Sequence, residues 1–264
     1  MSSRQKQSSS VTHRADLLTV EGDRIEMAGV KAMPPRNGVF RRESDMANTA
    51  IGWMRSRGLS VKSEFITPWG ICDLAGVRFN AKKVAHRLRL GQTRAISSVL
   101  RALLLLAIPE AETHRSISVE NLSHRFGLDI DTVSFELDHL ISGRFVIRTS
   151  RGRFQKQNGW MPLHDRLVAV ELKLSRVEEA MRQAVNNLAF ADESYVGFPH
   201  EIAVRIAGKP ERWANHFDEG IGLLSVSRGS CEVLISARKN TRWIQKALRL
   251  YSVEKFWRTR SKGS

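Results

Sequence analysis

Leu167-Val168-Ala169-Val170-Glu171-Leu172-Lys173-Leu174 is an apolar run interrupted by one glutamate and one lysine. Side chains alternate across a strand at about 3.3 Å per residue, so Val168, Val170, Leu172 and Leu174 share one face. Glu171 and Lys173 share the other, roughly 7 Å apart along the chain. The run predicts a strand whose one face is core and whose other face offers a carboxylate beside an ammonium. Packing alone gives such a strand no use for two charges. Well upstream, Gly70-Ile71-Cys72-Asp73-Leu74-Ala75-Gly76 is a second apolar, strand-like segment carrying a lone aspartate.

Downstream of Leu174 the pattern changes period. Ser175 is a plausible N-cap with Glu178 at the capping-box position, and Val177, Met181, Ala184, Leu188 and Ala191 recur at helical spacing. Glu179, Gln183 and Asn187 form a polar row on one flank of that helix, and Ser194 to Pro199 reads as a strand closed by its proline. Ahead of the aspartate segment, Glu43 to Arg57 reads as a helix, and Val61 to Ile66 carries Glu64.

Cys72-Asp73 with Glu171-Leu172-Lys173, followed by helix and strand, resembles the PD-(D/E)xK nuclease superfamily. Cys72 stands where that pattern names a proline, and the long separation of Asp73 from Glu171 requires an inserted module between the two strands. The resemblance implies that the two carboxylates sit on adjacent strands and hold Mg²⁺ or Mn²⁺, with Asp73 and Glu171 as metal ligands. Mg²⁺ takes hard oxygen ligands, typically one or two carboxylates completed by water and substrate phosphate. Such a metal acidifies a bound water and offsets charge building on phosphate oxygens. By the same resemblance Lys173 positions the water or steadies the developing charge. Gln183 matches a helix glutamine that some members set beside the site, and a further acid comes from before the aspartate strand. Glu64 and Glu43 both qualify for that role, and the sequence leaves the choice open.

The intervening module, from Gln92 to about Gln157, reads as a winged helix-turn-helix. Arg94 to Ala107 is a strongly apolar helix ending at Ile108-Pro109. Ser118 to Phe126 is a short helix with Gly127 as C-cap, and Asp129 or Asp131 starts a second helix through Ile141. Leu122, Phe126, Leu128, Val133, Leu137 and Leu140 supply the seam where the two helices cross. Arg144 to Arg148 and Gly152 to Lys156 are two strands joined by a polar turn, the wing. The second helix is acidic, with Asp131, Glu136 and Asp138, which argues against strong groove binding and leaves protein contact or homodimerisation as uses of the module. The wing gathers Arg144, Arg148, Arg151, Arg153 and Lys156, suited to backbone phosphates.

The chain has 264 residues, 42% of them apolar, enough for one good core and a second smaller one. Its 42 basic and 27 acidic residues leave a net charge of +15, which attracts polyanions and makes nucleic acid the leading partner, DNA ahead of RNA. No apolar run reaches the length of a membrane span, and Met1 to Ser10 lacks the hydrophobic core of a signal peptide. Cys72 and Cys231, in apolar contexts, read as buried free thiols of a reducing cytoplasm. Neither the two cysteines nor the eight histidines show zinc-ligand spacing, and there is no phosphate-cradling glycine loop or G-x-S-x-G elbow. Gly220 to Val226 and Cys231 to Ser236 read as a hairpin that extends the sheet. Arg238 to Arg260 reads as a basic helix whose Arg242, Lys246 and Arg249 are further candidates for nucleic-acid contact.

The fold expected is α/β, a restriction-endonuclease-like mixed sheet flanked by helices with an inserted winged-helix domain. Its divisions are an irregular leader at 1–38, core at 39–81, insert at 82–158, core again at 159–237, and a basic helix and tail at 238–264. The function expected is metal-dependent hydrolysis of DNA phosphodiesters. The alternative is a non-catalytic DNA-binding regulator or assembly subunit built on the same core.

Overall fold

The computed structural model describes residues 40–68, 70–241 and 245–260. The expected leader at 1–38 and the candidate Arg242 lie outside the described residues. The elements run α1 (Glu43–Ser56), β1 (Ser60–Thr67), β2 (Gly70–Phe79), α2 (Ala81–Arg89), α3 (Val99–Ala107), α4 (Val119–Phe126), α5 (Ile130–Ser142), β3 (Val146–Arg148), β4 (Phe154–Lys156) and β5 (His164–Leu172). They continue with α6 (Val177–Asn187), β6 (Glu193–Pro199), α7 (His200–Ala207), α8 (Ala214–Asp218), β7 (Gly222–Ser227), β8 (Ser230–Ile235) and α9 (Lys246–Arg260). Among the described residues no helix is long and apolar enough to cross a membrane.

The architecture is mixed α/β. A six-stranded sheet in the order β1-β2-β5-β6-β7-β8 is flanked by helices. β1, β2 and β5 form an antiparallel meander, β5, β6 and β7 run parallel, and β8 returns antiparallel at the far edge. The β7–β8 turn is closed by Gly229 at φ +86°, a conformation that suits glycine. β5 is covered on both faces, whereas its alternation predicts one core face. Val168, Val170 and Leu172 pack with Leu74 of β2 beneath Met46, Ala50, Trp53 and Met54 of α1. On the other face Leu167 and Ala169 pack with Phe190 and with Leu248, Val253, Phe256 and Trp257 of α9. β5 lies in the interior of the sheet, between antiparallel β2 and parallel β6, with helices over both of its faces.

Between β2 and β5 the chain forms a second cluster of its own. Leu104, Leu105, Leu122, Val133, Leu137, Leu140, Phe145 and Phe154 are its centre, and Ala247 and Leu250 of α9 complete it. Ser118 caps α4 by accepting from Asn121 N (3.3 Å), Gly127 ends it at φ +63°, and Asp129 caps α5 by accepting from Thr132 N (2.7 Å). β3 and β4 pair antiparallel, and Ile117 exchanges two backbone hydrogen bonds with Phe154 to add a third short rung.

Three helix starts differ from expectation. α3 begins at Val99, five residues after Arg94, because Ser98 accepts from Arg101 N (3.0 Å) and Ile96 N is held by Glu254 Oε2 (3.0 Å). α6 begins at Val177 with Arg176 rather than Ser175 at the N-cap, and no side chain caps it. α9 begins at Lys246 rather than Arg238, because Arg238 N donates to Gly220 O (2.9 Å) and Asn240 N to Asp192 O (2.7 Å), which keeps that stretch extended.

The two clusters are joined by a buried ion pair. Arg87 of α2 donates through Nη1 and Nη2 to both carboxylate oxygens of Glu254 (2.5 and 2.9 Å), and through Nε and Nη2 to the carbonyls of Gln92 (3.1 Å) and Arg94 (2.7 Å). Each of the three guanidinium nitrogens donates, the kind of satisfaction that lets a buried pair hold. Glu254→Ala strands the Arg87 charge and is expected to cost about 3–5 kcal/mol. Urea denaturation followed by circular dichroism checks this, and a loss below about 1 kcal/mol would show the pair to be dispensable.

Candidate active site

β2 and β5 converge on one end of the sheet. Their backbone ladder runs from Phe79 with His164 to Leu74 with Val170. One step beyond, the Asp73 carboxylate takes over as acceptor, receiving Leu172 N at Oδ2 (2.7 Å). Glu171 and Lys173 follow at the end of β5, and Lys173 N still donates to Gly197 O of β6 (3.1 Å), which prolongs the strand by one residue. α1 lies across this end, and its first residue, Glu43, accepts from Leu174 N at Oε1 (3.4 Å).

The Lys173 ammonium is the meeting point of three carboxylates. Its Nζ lies 3.1 Å from Glu171 Oε1, 3.7 Å from Glu43 Oε2 and 3.8 Å from Asp73 Oδ2. Lys173 and Glu171 are buried, whereas the side chains of Asp73 and Glu43 each keep 35% of their surface open. The cluster therefore reaches solvent through two of its acids. Arg176, exposed at the start of α6, stands 4.0 Å from Glu43 and pairs with Glu179 at 2.8 Å.

The chain brings Asp73, Glu171 and Lys173 together, and of the two glutamates before the aspartate strand it is Glu43 that joins them. Glu64 is exposed on β1 at φ +49°, with no hydrogen bond or ion pair to the cluster among the described residues. On α6 the side chain that reaches the acids is Asn187, whose Nδ2 donates to Glu171 Oε2 (3.4 Å). Gln183 lies one turn earlier, and its Oε1 is buried without a hydrogen-bond partner. Asn187 shares the polar row of Glu179 and Gln183, so the row pointed to the correct flank of α6 and the wrong turn of it.

The basic side chains of the β3–β4 hairpin divide. Arg153 donates to the side chain and carbonyl of Ser116 (2.9 and 2.8 Å), and Lys156 is buried against Glu110 (2.7 Å). Both are consumed in holding the hairpin. Arg144, Arg148 and Arg151 are exposed, Arg148 lying over the Phe154 ring. On α9, Lys246 is exposed and Arg249 is paired with the buried Asp192. Within the inserted cluster the acidic α5 keeps Glu136 occupied by Arg101 (2.6 Å).

The electrostatics of the acid cluster follow from its packing. Burial, then repulsion from Asp73, pushes Glu171 up to about 7, against the opposing pull of Lys173 and Asn187. Burial raises Asp73 as well, and Glu43 adds to the rise, while the Leu172 amide and Lys173 oppose it. For Lys173, burial favours the neutral amine, and Asp73, Glu171 and Glu43 more than offset it, so the ammonium persists. Cys72, beside the cluster, is driven far above the ordinary thiol value by burial and by the two nearby acids, which leaves it an inert thiol.

Among the described residues no three His, Cys, Asp or Glu side chains form a metal-binding group by themselves. Two strand carboxylates and a helix glutamate instead gather around one ammonium, with the Arg176 guanidinium 4.0 Å from the glutamate. Comparison of the chain with protein-family models, with curated proteins and with solved structures yields no match.

Glu171 keeps its proton in the folded chain at pH values where the unfolded chain has released it. Its contribution to stability is fully present below about pH 4.5 and is lost as the pH rises through about 7. Glu171→Gln is therefore expected to melt about 2–4 °C above wild type near pH 8 and to lose that advantage near pH 5. A melting difference that stays flat across that range would refute the assignment.

Proposed function

We propose that the chain is a divalent-metal-dependent nuclease that hydrolyses DNA phosphodiester bonds, built on a restriction-endonuclease-like core with a winged-helix insert. The observation that carries the reading is the Lys173 ammonium within 3.1–3.8 Å of Glu171, Glu43 and Asp73, at a sheet end where two acids remain open to solvent. Asp73 and Glu171 on neighbouring strands, an acid contributed from before the aspartate strand, and a strand-helix-strand sequence through β5, α6 and β6 all suit the resemblance to the PD-(D/E)xK superfamily.

In this reading Asp73 and Glu171 hold Mg²⁺ or Mn²⁺, with Glu43 beside them. When bound, the ion supplies a Lewis acid for the phosphate and lowers the pKa of a coordinated water. The remaining work falls to the side chains. The Leu172 amide fixes the Asp73 carboxylate, and Asn187 with Lys173 fixes Glu171. Lys173, held as an ammonium, orients a water and offers charge to the phosphate oxygens as negative charge builds on them. The net charge of +15 draws the polyanion in, and the exposed Arg148 and Arg151 at the β3–β4 hairpin contact its backbone. Helices α4 and α5 with that hairpin support the winged-helix reading, and the acidity of α5 turns this module toward protein contact rather than groove reading.

A supercoiled-plasmid nicking assay with Mg²⁺ or Mn²⁺ tests the proposal. Asp73→Ala, Glu171→Gln and Lys173→Ala are each expected to lower the rate about a hundredfold or more while circular dichroism stays native. Asn187→Ala lowers it less, and Gln183→Ala leaves it within about twofold. Metal-dependent cutting that survives the first three substitutions would overturn the site. DNA binding without cutting in either metal would favour a non-cleaving DNA-binding subunit.

A further inference from the structure

Ile66 and Ile71 are 64% and 60% exposed, and they are direct cross-strand partners near the tip of the β1–β2 hairpin. Directly opposed residues of an antiparallel pair project from the same face, so the two side chains form one apolar knob. Their neighbours Phe65 and Cys72 are buried against the face covered by α9. Ile66 and Ile71 therefore project from the face covered by α1, the side from which Glu43 reaches the acids. β2 runs antiparallel to β5, so this tip lies at the sheet end that holds Glu171 and Lys173. Ile71 precedes Asp73 by two residues on β2, about 7 Å along the strand.

The tip is braced from behind. Lys255 of α9 donates to the Ile66 carbonyl (2.5 Å) and lies over the Phe65 ring, and Thr67 Oγ1 donates to Gly70 O (2.9 Å) across the turn. A rigid apolar knob, backed by an ammonium and set beside an acid cluster in a chain of net charge +15, has the features of a side-chain wedge in a polyanion. Proteins that kink duplexes insert isoleucine, leucine or phenylalanine between base steps in this way. Edge-to-edge pairing with a second copy is opposed by the exposed charge of Glu64, held at φ +49° in the middle of the edge strand β1.

We propose that Ile66 and Ile71 enter a base step of duplex DNA and unstack it next to the phosphate presented to Asp73, Glu171 and Lys173. The proposal rests on the nuclease reading and makes its substrate double-stranded DNA that is distorted at the point of cutting.

The test uses the full chain, a duplex carrying 2-aminopurine, and Ca²⁺ in place of Mg²⁺ for the binding step. Wild type is expected to raise 2-aminopurine fluorescence severalfold on binding, and the Ile66→Ser, Ile71→Ser double variant to bind without that rise. With Mg²⁺ the double variant cuts duplex about tenfold more slowly or worse and single-stranded DNA at the wild-type rate, and Ile66→Leu behaves as wild type. No fluorescence rise with wild type, or the same rise with the double variant, overturns the wedge. So does a shift in sedimentation on making the double variant, which would assign the knob to contact between copies. If wild type unstacks the duplex yet cuts neither substrate in Mg²⁺ or Mn²⁺, the wedge stands and the cleavage reading falls. If it cuts both without unstacking, the outcome is the reverse.

Discussion

The Lys173 ammonium is what allows three carboxylates from three separate elements to share one end of the sheet. Without it Asp73, Glu171 and Glu43 would repel one another in partly dry surroundings, and α1 would have no charged tie to the end of β5. Burial first, and repulsion from Asp73 second, still raise Glu171 in spite of that lysine. The arrangement holds together with two of its acids still open to solvent.

Register makes the arrangement possible. Asp73 and Glu171 are far apart in the chain, and only the antiparallel pairing of β2 with β5 brings them together. At the point where the ladder stops, the Asp73 side chain replaces a backbone carbonyl as the acceptor for Leu172 N. A sheet hydrogen bond and a site residue are therefore the same interaction. The chain between the two strands builds its own apolar cluster, and Arg87 with Glu254 fixes that cluster to the sheet.

Much of this was legible because it depends on local periodicity. The alternation through 167–174, the helical spacing after it and the turn residues at Gly127 and Gly229 each announce their element within a short window. The details that escaped depend on contacts across the chain. Glu43 and Glu64 look alike in sequence, and the choice falls to α1 crossing the end of β5 while Glu64 sits in a kink of an edge strand. Gln183 and Asn187 share one helix flank, and only the docking of α6 decides which turn overlies Glu171. The five cations of the hairpin count equally in composition, yet Glu110 and Ser116, roughly forty residues earlier, have already engaged Lys156 and Arg153. The late starts of α3 and α9 have the same origin, in long-range backbone and carboxylate bonds that hold their approaches extended.

α9 belongs to both apolar clusters. Ala247 and Leu250 close the inserted one, while Leu248, Val253, Phe256 and Trp257 close the one beneath β5. It is also the last described element to be made. A single helical segment thus closes two interiors at once, so a substitution that loosens its seat opens apolar surface in both.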